Sequence, residues 1–198
     1  MTDFFDVVLG QRACRSFRPD PVDDDLVERV LRAATHAPSA ENKQPWVFVV
    51  VRDPASRAAI GELNRRAWAG GAKSHSAGRL TPTLLQEVDA GAQGGIAAAP
   101  VLIVVGGDTR LGDRRVLAAS IFPATQNMLL AAAALGLGSA LTTLPLVFGD
   151  ELAELVRFPF EVQPIAVVPL GWPARPLGPP RRLPVADKAY RDTFGSPW

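Results

Sequence analysis

Between Arg115 and Asp150 the chain carries no charged residue. A stretch of that length without charge has to be shielded from water along most of its course, so it constrains the fold more than any other feature. A bilayer or a protein core would shield it. A membrane-spanning helix needs about 20 strongly apolar residues in a row. Here Pro123, Gln126, Asn127, Gly136, Gly138 and Pro145 interrupt the run, and much of the rest is alanine. The reading is a core helix over residues 120–135, buried nearly all round, and no membrane span. Gly136 is placed to stop that helix in the left-handed conformation. A strand over residues 139–144 follows.

The remaining elements alternate between helical and extended patterns. Residues 4–11 read as a short helix. Pro19 and Pro21 break the chain, and Asp23, Asp24 and Asp25 then offer an N-cap and negative charge to a helix start. Leu26, Val27, Val30, Leu31 and Ala34 share one face of that helix, which ends at His36-Ala37-Pro38. Residues 46–51 form a compact β-rich run, expected to be a buried strand. A helix begins at Pro54, with Ile60, Leu63 and Ala67 at helical spacing. Residues 70–95, bracketed by glycines, are expected to be a mobile segment beside a pocket, with a helix over 82–88. Strands are expected at 101–105 and 162–170, and a short helix from Gly149-Asp150. Residues 173–184 hold five prolines and must be extended. Tyr190, Phe194 and Trp198 follow, and three aromatics at a chain end imply docking onto another surface. The division is thus a domain over 1–172 and an extended arm of the same domain over 173–198.

Composition narrows the function by exclusion. The formal net charge is +1 in 198 residues, so no global field recruits nucleic acid or an anionic membrane. Cys14 is the only cysteine, which precludes an intramolecular disulfide and fits a reducing, cytoplasmic setting. Residues 1–6 lack the basic and apolar regions of a secretory leader. There are two histidines, His36 and His75. No zinc-ligand spacing, HExxH, GxSxG or Walker loop occurs, and no metal site is expected. Gly136-Leu137-Gly138 follows a helix, so it reads as a turn rather than a dinucleotide fingerprint. His36 reads as a helix-end residue and Cys14 as structural, although the flanking Arg12 and Arg15 keep a redox thiol in view. A chain so poor in reactive groups points to a cofactor that carries the chemistry.

Three clusters suit a cofactor. In Gln11-Arg12-Ala13-Cys14-Arg15-Ser16-Phe17, two arginines three apart can hold a phosphate or an electron-rich ring edge. Residues 37–46, APSAENKQPW, form a loop pinned by prolines and rich in amides. Asn and Gln side chains carry both donor and acceptor groups and match the uracil-like edge of a flavin. Arg181-Arg182, on the stiff arm, can clamp a phosphate.

Taken in order, QRACRSF, APSAENKQPW, AAPVLIVV, NMLLAAAALGLGSALTT and the terminal RRLP resemble the nitroreductase family. The resemblance runs from about Gln11 to Arg182. It implies an α+β fold with a mostly antiparallel central sheet flanked by helices, and a C-terminal arm crossing to the partner of a homodimer. It also implies two FMN molecules at the interface. Arg12 and Arg15 match basic positions of the family's flavin-binding segment, in which Gln11 and Ala13 replace an arginine and a serine. Pro38, Ser39, Asn42 and Gln44 match the loop that reaches the partner's flavin. Thr142 and Thr143 fall where strand-end backbone lines the ring, and Arg182, with Arg181, matches the phosphate-binding position. The implied activity is an FMN-dependent oxidoreductase that moves hydride from NADH or NADPH through flavin N5 to a small acceptor such as a nitroaromatic or quinone. The alternatives are a flavin-sequestering protein without turnover, or another flavin chemistry on the same fold (flavin fragmentation, dehalogenation or a specific dehydrogenation). No catalytic side chain is singled out, since the flavin carries the reaction.

Overall fold

The computed structural model describes residues 3–113 and 116–198. Met1 and Thr2, part of the stretch read for a leader, lie outside the described residues, as do Arg114 and Arg115. The fold is α+β, with a four-stranded sheet in the order β1 (Trp46–Val51), β2 (Val101–Asp108), β4 (Val162–Gly171), β3 (Gly138–Ser139), every pair antiparallel. Strand β2 is buried at every position, because β1 and β4 flank it and helices cover both faces.

The alternation of β2 divides the core in two. Val101, Ile103 and Val105 face one cluster, with Val27 and Val30 of α2 (Asp24–Thr35) and Ile121 and Met128 of α6 (Leu117–Ala134). Leu102 and Val104 face the other, with Ile60 and Leu63 of α3 (Pro54–Ala67) and Leu152 of α7 (Gly149–Leu155). Successive side chains of a strand point to opposite faces, so one continuous apolar run feeds both layers.

Three expectations need correction. The strand at 46–51 is an edge strand, and only Val51 in it is buried, because no strand lies beyond it. The strand expected over 139–144 shrinks to β3 (Gly138–Ser139), with one further bridge from Thr142 to Val167. There the Thr142 hydroxyl turns inward to donate to Asn64 Oδ1 at 3.1 Å, and the chain winds into a 3₁₀ turn over Leu144–Phe148. The charge-free helix is not buried all round. In α6, 44% of the residues are buried, along the face turned to α2 and the sheet, and Phe122 looks outward. By length and composition α6 could cross a membrane; within this chain its buried face is part of the core. Helix α1 (Phe4–Gly10) buries none of its residues and exposes Phe4, Phe5 and Leu9.

The segment over 70–95 holds the helix expected over 82–88 and is helical beyond it as well. It contains α4 (Lys73–Ala77) and α5 (Pro82–Ala90), joined to their neighbours by wide turns at Trp68–Ala72 and Gly91–Gly95. Gly136 has φ +76° and stops α6 as anticipated. The arm runs extended past Pro173 to a 3₁₀ turn at Val185–Asp187. The rings of Tyr190 and Phe194 pack at 4.6 Å, yet Phe194 is 90% and Trp198 69% exposed. The terminal aromatics therefore do not dock on their own domain.

Candidate functional site

The N-terminal segment is laid against the sheet edge before its arginines can act. Ala13 bridges Ser139, the Cys14 amide donates to the Ser139 carbonyl at 2.8 Å, and Phe17 bridges Pro173. Gly138 leaves room for the Cys14 sulfur, where any Cβ would collide with it. Burial pushes the Cys14 thiol above its ordinary pKa, and its S–H donates to the Ser16 carbonyl at 3.2 Å. That environment suits a structural thiol and removes the reason to invoke redox chemistry there.

Arg15 is seated with equal closeness. The turn after α5 runs beneath it; a Cβ at Gly95 would strike the Arg15 carbonyl oxygen, and one at Gly91 would press on the Arg15 stem. Its guanidinium is half-buried and lines a groove. Burial lowers its pKa, opposed by the charge of nearby Glu87. Among the described residues no carboxylate forms an ion pair with Arg15.

The groove lies between this segment, α5 and the start of the arm. Its volume is about 450 Å³, within the range of roughly 300–1,000 Å³ typical of small-molecule sites. Arg12, Arg15, Gln86, Glu87, Arg175 and Leu177 are on its wall. Glu87 joins the three elements. Arg12 donates to its Oε2 at 3.2 Å and Arg175 to its Oε1 at 2.7 Å. Burial disfavours the charge on Glu87, but the Arg175 hydrogen bond and the charges of both arginines outweigh it, so its carboxyl lies below the ordinary value.

The amide-rich loop is built differently. Ser39 Oγ accepts from the Gln44 amide at 3.0 Å, and the Ala40 amide donates to Ser120 Oγ at 3.2 Å. Glu41, Asn42 and Gln44 all have left-handed φ, at +53°, +54° and +51°. Three non-glycine residues in that region within four positions is costly, at roughly 1 kcal/mol or more each, and such strain gathers at functional sites. Pro38, Asn42 and Gln44 are exposed, so the strain serves to display side chains rather than to pack them.

The expected site residues are only partly together within one chain. Arg12, Ala13 and Arg15 line the groove. Thr142 is buried against Asn64, and Thr143 next to it is exposed. Arg181 and Arg182 are exposed and are not among the groove-lining residues; Arg182 donates to the Arg181 carbonyl at 3.0 Å. The loop at 38–44 feeds edge strand β1 at Trp46, opposite Gly107. The groove segment instead bridges Ser139 of β3, the other edge, which pairs with the far end of β4. Loop and groove thus sit at opposite edges and opposite ends of the sheet. Sequence reasoning missed Gln86, Glu87, Arg175 and Leu177, because a charged side chain on a polar helix or a proline-rich arm looks the same in sequence whether solvated or paired.

A model of the nitroreductase family matches residues 8–172. The chain is 32% identical over 181 residues to a Methanothermobacter thermautotrophicus protein described as an NADH dehydrogenase/NAD(P)H nitroreductase, covering 89% of this chain and 80% of that one. It is 27% identical over 182 residues to iodotyrosine deiodinase 1 of Rattus norvegicus, covering 87% of this chain but 63% of the deiodinase. The solved structure of a nitroreductase with bound FMN from Desulfitobacterium hafniense superposes with a TM-score of 0.76 at 22% identity, covering 98% of this chain and all of that one. At that identity the superposition speaks for the fold.

Proposed function

Because the chain belongs to the nitroreductase family, we propose that it is an FMN-dependent oxidoreductase that takes hydride from NADH or NADPH and delivers it to a small organic acceptor, the first product leaving before the acceptor binds. The observation that carries this reading is Arg15, half-buried on the wall of a groove, with which no carboxylate among the described residues forms an ion pair. A desolvated cation calls for an anionic or electron-rich ligand.

The residues present fit FMN. Arg12 and Arg175 share one carboxylate and Arg15 lines the same groove, leaving positive charge for a phosphate and for the N1 edge of a reduced ring. Bound FMN supplies hydride transfer at its N5 position. The chain's own part is binding and orientation. Arg12 and Arg15 hold the ligand from the groove wall, with Ala13 backbone beside them. With FMN bound, the backbone at Thr142 and Thr143 would line the ring, and Arg181 and Arg182 would close on the phosphate. Pro38, Ser39, Asn42 and Gln44 meet the donor-acceptor edge of a flavin held by a second copy of the chain, which is the role left to a loop displayed on the opposite sheet edge. The functional unit is therefore a homodimer, and the outward apolar residues of α1 and α6 are suited to its interface.

The similarity to iodotyrosine deiodinase favours a second reading, in which the same flavin site removes halogen from an aromatic substrate. One preparation tests both. The purified protein is expected to be yellow, with about one FMN per chain, and to bleach under anaerobic NADH or NADPH. Absence of flavin after reconstitution overturns the proposal. Retained colour without bleaching by either nucleotide indicates a flavin-sequestering protein. Bleaching followed by reoxidation with a halophenol but not with nitroaromatics or quinones selects the dehalogenase.

A further inference from the structure

The groove contains a carboxylate where an anion is to bind. Glu87 is not a spectator on α5. Its two oxygens are each taken by a different arginine, one from the N-terminal segment and one from the arm. Each contact is single-point, and the Arg12 contact is long, at 3.2 Å. Exposure is graded across the trio. Glu87 is the most enclosed, with 23% of its side chain exposed, against 35% for Arg12 and 66% for Arg175. Partly exposed single-point ion pairs hold weakly. Phosphate oxygens accept paired guanidinium hydrogen bonds and compete well for such arginines.

We propose that Glu87 is a displaceable internal counter-ion, and that the phosphate of the incoming cofactor takes over its two arginines, making Arg175 a phosphate-binding residue of the arm. Arg175 lies outside the motifs through which the chain resembles its family. It is nevertheless the arm's guanidinium on the groove wall, which Arg181 and Arg182 are not. Before the cofactor arrives, Glu87 holds Arg12 and Arg175 beside Arg15 and fastens the arm to α5. When the phosphate is seated, the arm remains fastened through Arg175, now by way of the ligand. Glu87 thus sets the affinity by competition, without touching the ring. The inference rests on the flavin reading above, and its test separates the two.

Apoprotein is titrated with FMN and with riboflavin, which lacks the phosphate, following the quenching of flavin fluorescence. Glu87→Gln keeps an acceptor oxygen for the arginines but removes the competing charge. It is expected to tighten FMN by about three- to tenfold and to leave riboflavin within about twofold. Arg175→Gln is expected to weaken FMN by about tenfold, again with riboflavin within about twofold. Weaker or unchanged FMN binding in Glu87→Gln, or equal losses of both flavins in Arg175→Gln, overturns the proposal. If the wild type binds neither flavin, the cofactor reading fails and inorganic phosphate decides the inference. A phosphate-induced rise in Tm that grows in Glu87→Gln and vanishes in Arg175→Gln supports it. A Tm indifferent to phosphate in all three proteins overturns it.

Discussion

Gly95 passes so close beneath Arg15 that a Cβ on the glycine would overlap the arginine's carbonyl oxygen. The obstacle would be backbone rather than the far end of a flexible side chain, so one of the two segments would have to move. The position of the Arg15 guanidinium therefore depends on a residue that carries no side chain.

Gly95→Ala is expected to destabilise the fold by about 1–3 kcal/mol, the usual range for overpacking. It is also expected to loosen the cofactor by displacing Arg15. Urea unfolding and the flavin content of the purified variant measure the two effects separately. Wild-type stability together with full flavin content would show that the turn yields freely and that Arg15 is not held by it.

Cys14 gives a pH signature. Burial holds its thiol above the ordinary value of 9.0 in the folded chain. The unfolded chain therefore ionises first as pH rises, which favours unfolding. The contribution is fully present below the unfolded pKa and is lost as pH climbs toward the folded one. The stability advantage of wild type over Cys14→Ala should then shrink as pH rises from about 8 upward. Denaturant midpoints for both proteins across that range test this. A constant difference would mean that the thiol ionises no later in the folded state.

The terminal aromatics bear on the proposed dimer. Phe194 and Trp198 stay largely exposed in a single chain, and Tyr190 packs against the exposed Phe194 ring. A chain ending at Pro184 keeps Arg175, Arg181 and Arg182 but loses these rings. It is expected to dissociate more readily in sedimentation and to retain less flavin. If it stays fully dimeric and fully yellow, the aromatic terminus anchors nothing.

The central layers were legible in the sequence because their signals are local. Val101 to Val105 is an unbroken apolar run, which only a strand covered on both faces can accommodate, and β2 is that strand. Pro54 marked the start of α3, where the structure adds a cap from Asp53 to the Ser56 amide, and Gly136 marked the end of α6. What failed was set by neighbours distant in sequence. Residues 139–144 have strand-like composition, yet the inward turn of Thr142 to Asn64, 78 positions away, ends the strand at Ser139. The same holds for the site. Arg12, Arg15 and the amide loop stand out as motifs. Glu87 and Arg175, 88 positions apart, acquire meaning only once the arm has returned to α5. The outward face of α6 shows the same limit from another side, since absence of charge marks a surface to be covered without naming what covers it.

The placement of loop and groove at opposite edges of one sheet has a kinetic consequence. If each flavin needs the loop of one chain and the groove of another, an isolated subunit carries two half-sites and no whole one. Activity would then follow mass action. Rate per subunit would be constant at high concentration and would fall on dilution below the dissociation constant of the pair. An excess of a partner defective only in its groove would restore activity to dilute wild-type chains by lending them its loop.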